Sequence, residues 1–451
     1  MSQPLAPMPA PASRREIFAW AMYDWANSAY TTLSITVLML YIKGVVVAKD
    51  TAAAAALQGV ANALHIDVQP DKLGAATFAW GIGISTLCAA LLSPIVGAMA
   101  DARANKRWWL AGTALGGATC GVLLGVVPLS SWLLVLLLFF LASLLFELSF
   151  GFYNGFLPEL ATEETMDKVS AYGFALGYVG GGLALGIEFL VFTFGPALGL
   201  PDPVDQLRVG LIIMGLWWGI FALPAVFWLR DRGVPRGERK PLPRAAAQAI
   251  GEVRRTLSNV RLYRTLALFL LGFLFYNDGI QTVISQSSVF AQDEIGFTTP
   301  ELLTVILAFQ FICLPGAMIV SRVVLLLGQK RTLMMCLAIW LAAIGSAYFV
   351  TTKWQFWMLS VVLGLVMGGT QSVARAMMAL MTPKSRTAEF FGFFNFSGRA
   401  TSWLGAMLFG AVILRTGSAR LAILSLLVLF VIGLLITLPV NVAQGQREAA
   451  E

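Results

Sequence analysis

Asp24, Glu147, Asp278 and Arg375 are ionisable residues that each lie deep in an otherwise apolar run. Those runs are the first, fourth, seventh and tenth along the chain. A charge at the centre of a membrane helix costs about 2.5–3.5 kcal/mol on insertion scales, so it faces a bundle interior or a water-filled cavity. A period of three helices, repeated over two halves, points to a transport pathway. Each charge also belongs to a polar stripe at helical spacing. The stripes are Asp24, Asn27, Ser28 and Thr31; Glu147, Gly151 and Asn154; Asp278, Gln281, Thr282 and Ser285; and Gly368, Gln371, Ser372 and Arg375.

The chemistry on offer is recognition and proton transfer. Arg375 can hold a carboxylate through charge-assisted hydrogen bonds. Asp24 or Asp278 can face an ammonium, and a desolvated carboxylate can carry a proton. Trp25, Tyr30 and Tyr276 offer apolar walls for a small solute. The competing reading is polar glue between helices, worth about 0.6 kcal/mol per contact. For the hydroxyls and Asn154 both readings stand; for Asp24, Asp278 and Arg375 the cost of burying charge favours function. Three further charges sit in apolar runs. Arg399 lies at an inner depth similar to that of Asp24 and Arg375, where a salt bridge between halves that closes the cytoplasmic side stands beside substrate contact as the reading; Arg322 snorkels, and Glu188 either meets the lipid interface or relays a proton.

Hydrolytic and metal chemistry find no support. No HExxH or GxSxG motif occurs, His65 is the single histidine, and Cys88, Cys120, Cys313 and Cys336 are scattered. No cofactor, metal or enzyme activity is expected. With 58% hydrophobic and 12% charged residues, the chain is not a soluble globule, which carries about 25% charged residues. Its net charge of +7 lies in short loops and not on one face, which argues against nucleic acid.

The elements that position these residues are membrane helices, each needing roughly 20 apolar residues. Spans are expected near 17–47, 73–100, 107–127, 131–158, 169–194, 207–229, 263–290, 300–327, 331–350, 354–381, 388–414 and 417–440. The fold class is therefore all-α, with about twelve transmembrane helices in two six-helix halves, 17–229 and 263–440. A disordered N-terminus (1–16), a basic linker (230–262) and a tail (441–451) flank them. Arg14, Arg15, Arg103, Lys106, Arg107, Lys330, Arg331, Lys384, Arg386 and the basic linker share one side. The positive-inside rule makes that side, both termini included, cytoplasmic. The linker's second part, 244–262, reads either as an amphipathic helix on anionic lipid or as a solvated tether. The expected protein is a monomer in the cell inner membrane whose partners are lipids, a small-molecule substrate and, as candidate coupling ion, protons.

Tyr23-Asp24-Trp25-Ala26-Asn27 and Tyr276-Asn277-Asp278-Gly279-Ile280-Gln281 form a faint internal repeat. Parallel repeats of six helices each predict this. The turn Gly97-Ala98-Met99-Ala100-Asp101-Ala102-Arg103-Ala104-Asn105-Lys106-Arg107 resembles the signature loop of the major facilitator superfamily, with Ala102 and Ala104 where Arg and Gly are usual. The resemblance implies that Asp101 caps a helix of the other half and stabilises an outward-open state, with Lys106 and Arg107 beside it as gating residues. Gly328-Gln329-Lys330-Arg331 retains a remnant of the same loop. The blocks Tyr23 to Ser28, Phe152 to Leu160, Gly173 to Tyr178, Tyr276 to Gly279, Gly368 to Gln371 with Arg375, and Glu389 to Gly392 are similar to the branch containing the fungal vacuolar amino-acid effluxer. That similarity implies a secondary transporter working by alternating access, with an amino acid or related compound as cargo. The alternatives are an exporter of an amphipathic or lipid-like compound, whose inner charges gate, and a non-transporting membrane sensor.

Overall fold

Within lipid every backbone polar group must find its partner inside the segment, and helices do this alone. The computed structural model describes residues 12–48, 51–63, 73–232, 242–258, 260–399 and 404–450, and among these residues it forms helices and turns with no strand. Among the described residues eleven helical stretches are long and apolar enough to cross a membrane. The first half contributes α1 (Arg14–Leu33), α2 (Leu73–Arg103), α3 (Lys106–Val126), α4 (Trp132–Gly155), α5 (Met166–Phe194) and α6 (Pro203–Trp228). The second begins with α7 (Arg264–Ile295), α8 (Thr299–Leu327), α9 (Gln329–Ala347) and α10 (Lys353–Leu380). The run expected at 388–414 is covered by α11 (Thr387–Arg399) and α12 (Leu404–Thr416), and α13 (Ala419–Ser425) with α14 (Leu427–Thr437) makes the last crossing.

Local chemistry explains where these helices begin. Ser13 and Glu16 form a capping box at the start of α1, and Thr352 with Gln355 does the same at α10. Pro94, Pro224 and Pro315 lie inside α2, α6 and α8. Membrane helices tolerate them because neighbouring groups satisfy the freed carbonyls. Beyond Leu33 the first span continues as π-helical turns, Ser34–Leu38 and Ile42–Val46.

Glycine decides how closely the spans approach. A Cβ at Gly177 of α5 would stand 2.9 Å from Ser28 Oγ, and one at Gly181 would stand 2.8 Å from Thr32 Oγ1. The α1–α5 seam therefore closes only with hydrogen at those positions. The two halves meet along α2 with α11 and along α5 with α8 and α10. Gly97 faces Ala388 backbone, Gly392 faces Pro94, and Gly182 faces Phe311 across these seams.

The segments outside the spans are more ordered than their composition suggests. Of the expected linker, 233–241 and residue 259 lie outside the described residues, and Leu242–Ser258 is a helix. It docks on the end of α2, with Ala249 buried against Ala98 and Met99. The expected tail is the helix Val442–Ala450. Its Glu448 carboxylate accepts the Thr265 N–H at 2.9 Å and the Thr265 hydroxyl at 2.7 Å, capping the start of α7. His65 and the basic residues Lys49 and Lys72 fall outside the described residues.

Candidate functional site

The site grows from the end of the bundle where the basic loops gather. Asp24 lies ten residues into α1, about 15 Å along its axis, and Arg375 lies five residues before the end of α10. Sequence spacing gave both residues a buried face; the structure brings those faces together. Arg375 Nη1 stands 3.1 Å from Asp24 Oδ2, in a salt bridge joining the two halves. Both residues are buried, at 2% and 5% exposure. An ion pair this dry holds only if its remaining hydrogen bonds are satisfied.

They are satisfied almost entirely from the first half. Arg375 Nε donates to Ser170 Oγ at 3.0 Å and Nη2 to the Ser170 carbonyl at 2.6 Å. Nη1 makes longer contacts of 3.4 Å with Tyr153 Oη and with Asn154 Oδ1. The Tyr153 hydroxyl donates in turn to Asp24 Oδ2 at 2.8 Å. Aromatic rings enclose the guanidinium: its carbon is 3.9 Å from the Phe174 centroid, 4.9 Å from Trp20 and 5.5 Å from Tyr153. Trp20 is fixed by stacking on Tyr153 at 4.7 Å and by donating its indole N–H to the Tyr153 carbonyl at 2.8 Å. Gly173 makes room, since a Cβ there would be 2.8 Å from Trp20 and 2.9 Å from Arg375 Nη2.

A second closure lies nearer the loops. Asp101, at the end of α2, accepts the N–H of Glu389 in the first turn of α11 at 3.0 Å. The first turn of a helix carries unpaired N–H groups and positive dipole, so a carboxylate from the other half fits there. Lys106 is 3.9 Å from Asp101 and also donates to Glu159, to the Gly155 carbonyl at 3.2 Å and to Thr387 Oγ1 at 2.6 Å. Its single cation thus ties α3, α4 and α11. The remnant loop of the second half answers it, since Gln329 donates to Asp167 of α5 at 2.8 Å. Arg107 turns away from this closure and stays in its own half. Its N–H meets Asp231 at 3.2 Å and its Nη1 the Leu229 carbonyl at 3.3 Å. Burial pushes the Asp231 carboxyl up, against the lowering effect of the Arg107 N–H.

The other expected site residues are divided between the seam and the two cores. Gln371 donates to Asn277 at 3.1 Å, and Asn277 to the Gly398 carbonyl at 3.0 Å, so α7, α10 and α11 share one amide chain. Asp278 is not beside the Asp24–Arg375 pair; its Oδ2 accepts the N–H of Gly405 at 2.9 Å, in the first turn of α12. Among the described residues its buried Oδ1 has no hydrogen-bond partner. The walls expected of Tyr30 and Tyr276 are packed inside their own halves. Tyr30 pairs its hydroxyl with Ser143 at 2.7 Å, and Tyr276 packs on Phe273 with its hydroxyl unpartnered. Trp25 stacks on Trp217 of α6. Asn27 is buried with its amide nitrogen unpartnered, while Glu147 and Gln281 are half-buried. Glu188 is 2% exposed and faces Gly210 of α6, which removes the lipid-interface reading. Arg399 ends α11, and its side chain lies outside the described residues.

Trp20, Tyr153, Ser170 and Phe174 are the partners that spacing did not reveal. Trp20 is four residues before Asp24, so it shares that face, and Tyr153 and Phe174 lie inside the family-like blocks Phe152 to Leu160 and Gly173 to Tyr178. Hydrogen bonds between the halves run from Lys106–Thr387 at the basic end to Gln310–Thr32 at 3.2 Å near the middle of the spans. The bundle is closed at its basic end.

Two helical halves joined through such seams, with a buried inter-half ion pair and a carboxylate-capped α11, define a transporter of the major facilitator superfamily. Solved structures agree on the fold. The human organic anion transporter MFSD10 (TETRAN) superposes with a TM-score of 0.72 over 95% of this chain and 100% of its own, at 14% identity. The proton:xylose symporter XylE gives 0.66 over 93% and 94%, also at 14% identity. Within that superfamily the chain belongs to the family described as vacuole effluxer Atg22 like, whose model matches residues 12–450. An MFS-type transporter of Bacillus subtilis, YxiO, is 31% identical over 420 residues, 93% of each chain. Autophagy-related protein 22 of Yarrowia lipolytica is 28% identical over 318 residues, which is 62% of this chain and 51% of the fungal one. The chain thus aligns with about half the length of that fungal relative. It is a multi-pass integral membrane transporter for a small molecule, and not an enzyme.

Proposed function

We propose that this protein is a secondary transporter of amino acids or closely related solutes, that it works by alternating access, and that protons drive it. The observation that carries the reading is the Asp24–Arg375 pair, a buried salt bridge whose two members belong to different halves. Opening the basic end must separate them, and an isolated buried charge is costly, so something must compensate each partner. A solute carrying both a carboxylate and an ammonium offers Arg375 an anion and Asp24 a cation. A proton on Asp24 removes its need for a cation altogether. Both recorded hydrogen bonds to Asp24 fall on Oδ2. The basic end is cytoplasmic in this reading, because its loops collect the positive charge.

Uptake of an amino-acid panel into proteoliposomes, with and without an imposed proton gradient, tests it. The expected result is gradient-dependent movement of at least one amino acid, abolished in Asp24→Asn. Gradient-independent or absent movement of every amino acid would refute the reading. Lys240→Cys should resist impermeant thiol reagents added outside sealed cells, and strong labelling there would reverse the orientation.

A further inference from the structure

The partners of Arg375 are distributed very unevenly. Its five hydrogen-bond acceptor atoms are Ser170 Oγ, Ser170 O, Asp24 Oδ2, Tyr153 Oη and Asn154 Oδ1. All five belong to α1, α4 and α5, as do the three rings around its guanidinium, Trp20, Tyr153 and Phe174. Among the described residues the second half supplies only the cation. A carboxylate, a backbone carbonyl and a set of aromatic faces are the elements of a receptor for guanidinium or ammonium groups. We propose that the first half contains a complete organic-cation site, and that Arg375 is its tethered occupant in this closed state.

This rests on the alternating-access reading above and names the substrate class it implies. When the halves part at the basic end, α10 withdraws Arg375 and the site is left with a buried carboxylate and no cation. Leaving Asp24 uncompensated is the costly alternative. A solute with an alkylammonium or alkylguanidinium group restores the balance by taking the place of the side chain. Its release is then the return of Arg375, which competes for the same atoms. The glycine at 173 supports this role. It is the position where any side chain would fill the space between Trp20, Tyr153 and the guanidinium. The transported solute therefore carries a positive charge on nitrogen, with amino acids, amines and guanidines inside the class and uncharged isosteres outside it.

Chemical rescue tests the site without relying on transport. In full-length Arg375→Ala the receptor is vacant, and ethylguanidinium should bind it and raise the melting temperature. N-ethylurea, nearly the same shape without the charge, should bind at least about tenfold more weakly, as expected from loss of a desolvated cation–π contact. Asp24→Asn added to Arg375→Ala should remove the preference. Equal stabilisation by both compounds, or a preference that survives Asp24→Asn, would overturn the inference. Should Arg375→Ala not survive purification, the parent decides: its uptake of amine-bearing solutes should exceed that of uncharged isosteres and fall at least about tenfold in Phe174→Leu. Equal uptake of both kinds, or no change in Phe174→Leu, would equally overturn it. Movement of no solute at all, with rescue by ethylguanidinium intact, would sink the transport reading while leaving the cation site standing.

Discussion

Asp24 and Asp278 begin from nearly the same words, Tyr-Asp-Trp-Ala-Asn in α1 and Tyr-Asn-Asp-Gly-Ile-Gln in α7, and end in different chemistry. Asp24 is paired across the halves with Arg375 and receives the Tyr153 hydroxyl. Asp278 has no salt-bridge partner among the described residues; it caps α12 of its own half through the Gly405 N–H. The difference lies in what the facing helices bring. α10 places an arginine against α1, whereas α12 offers α7 the unpaired N–H groups of a helix start. A repeated motif thus serves as an inter-half latch in one copy and a helix cap in the other.

The comparison breaks most visibly if the latch is cut. Asp24→Asn leaves the Arg375 cation buried without its anion, so it should destabilise the closed protein by about 3–5 kcal/mol, read as a large fall in melting temperature. Asp24→Asn with Arg375→Met should recover much of that loss, because no charge is then stranded. A double mutant less stable than Asp24→Asn alone would contradict the latch. Exchanging the charges, Asp24→Arg with Arg375→Asp, should not recover it, since Ser170, Tyr153 and Asn154 all remain arranged around the position of Arg375. Full recovery would show a simple charge pair.

A smaller loss, about 1–3 kcal/mol, is expected from Gly173→Ala, which forces a methyl against Trp20 and Arg375. Asp278→Asn should cost less, on the order of 1 kcal/mol, because an amide oxygen can still accept from Gly405. If it costs as much as Asp24→Asn, the two aspartates share a role after all. The smallest effect belongs to an exposed pair at the opposite end, Glu301 with Lys353 at 2.8 Å. Hydrogen bonds from Lys353, then Thr298, hold the Glu301 carboxyl down at about 2. That depression favours the folded state above the ordinary glutamate range and is lost as pH falls through the folded value. Lys353→Met should leave the melting temperature at neutral pH unchanged within error.

The partition of legible and hidden features follows the same physics. Asp24 and Arg375 were visible because a charge in an apolar run is rare and its cost is intrinsic to the residue, and Asp101 was visible through the loop that resembles the superfamily signature. Asn27 and Gln371 were visible as members of stripes and Asn277 within the repeated motif, and spacing could not say that Gln371 would meet Asn277. Tyr30 and Tyr276 were expected beside the solute because aromatic residues suit a pocket wall. In the structure the same size and shape fill the cores around Phe146 and Phe273.

The sequence by itself determined the membrane class, the multi-pass helical arrangement and which spans bear charge. Those properties depend on each segment's own transfer from water to lipid, and on local capping such as Ser13 with Glu16. Only the tertiary structure decided that Arg375 would lie among Trp20, Tyr153, Ser170 and Phe174 while Asp278 would turn to Gly405. Those choices depend on how closely two helix faces approach. Small residues such as Gly173 and Gly405, from segments far apart in the chain, set that distance.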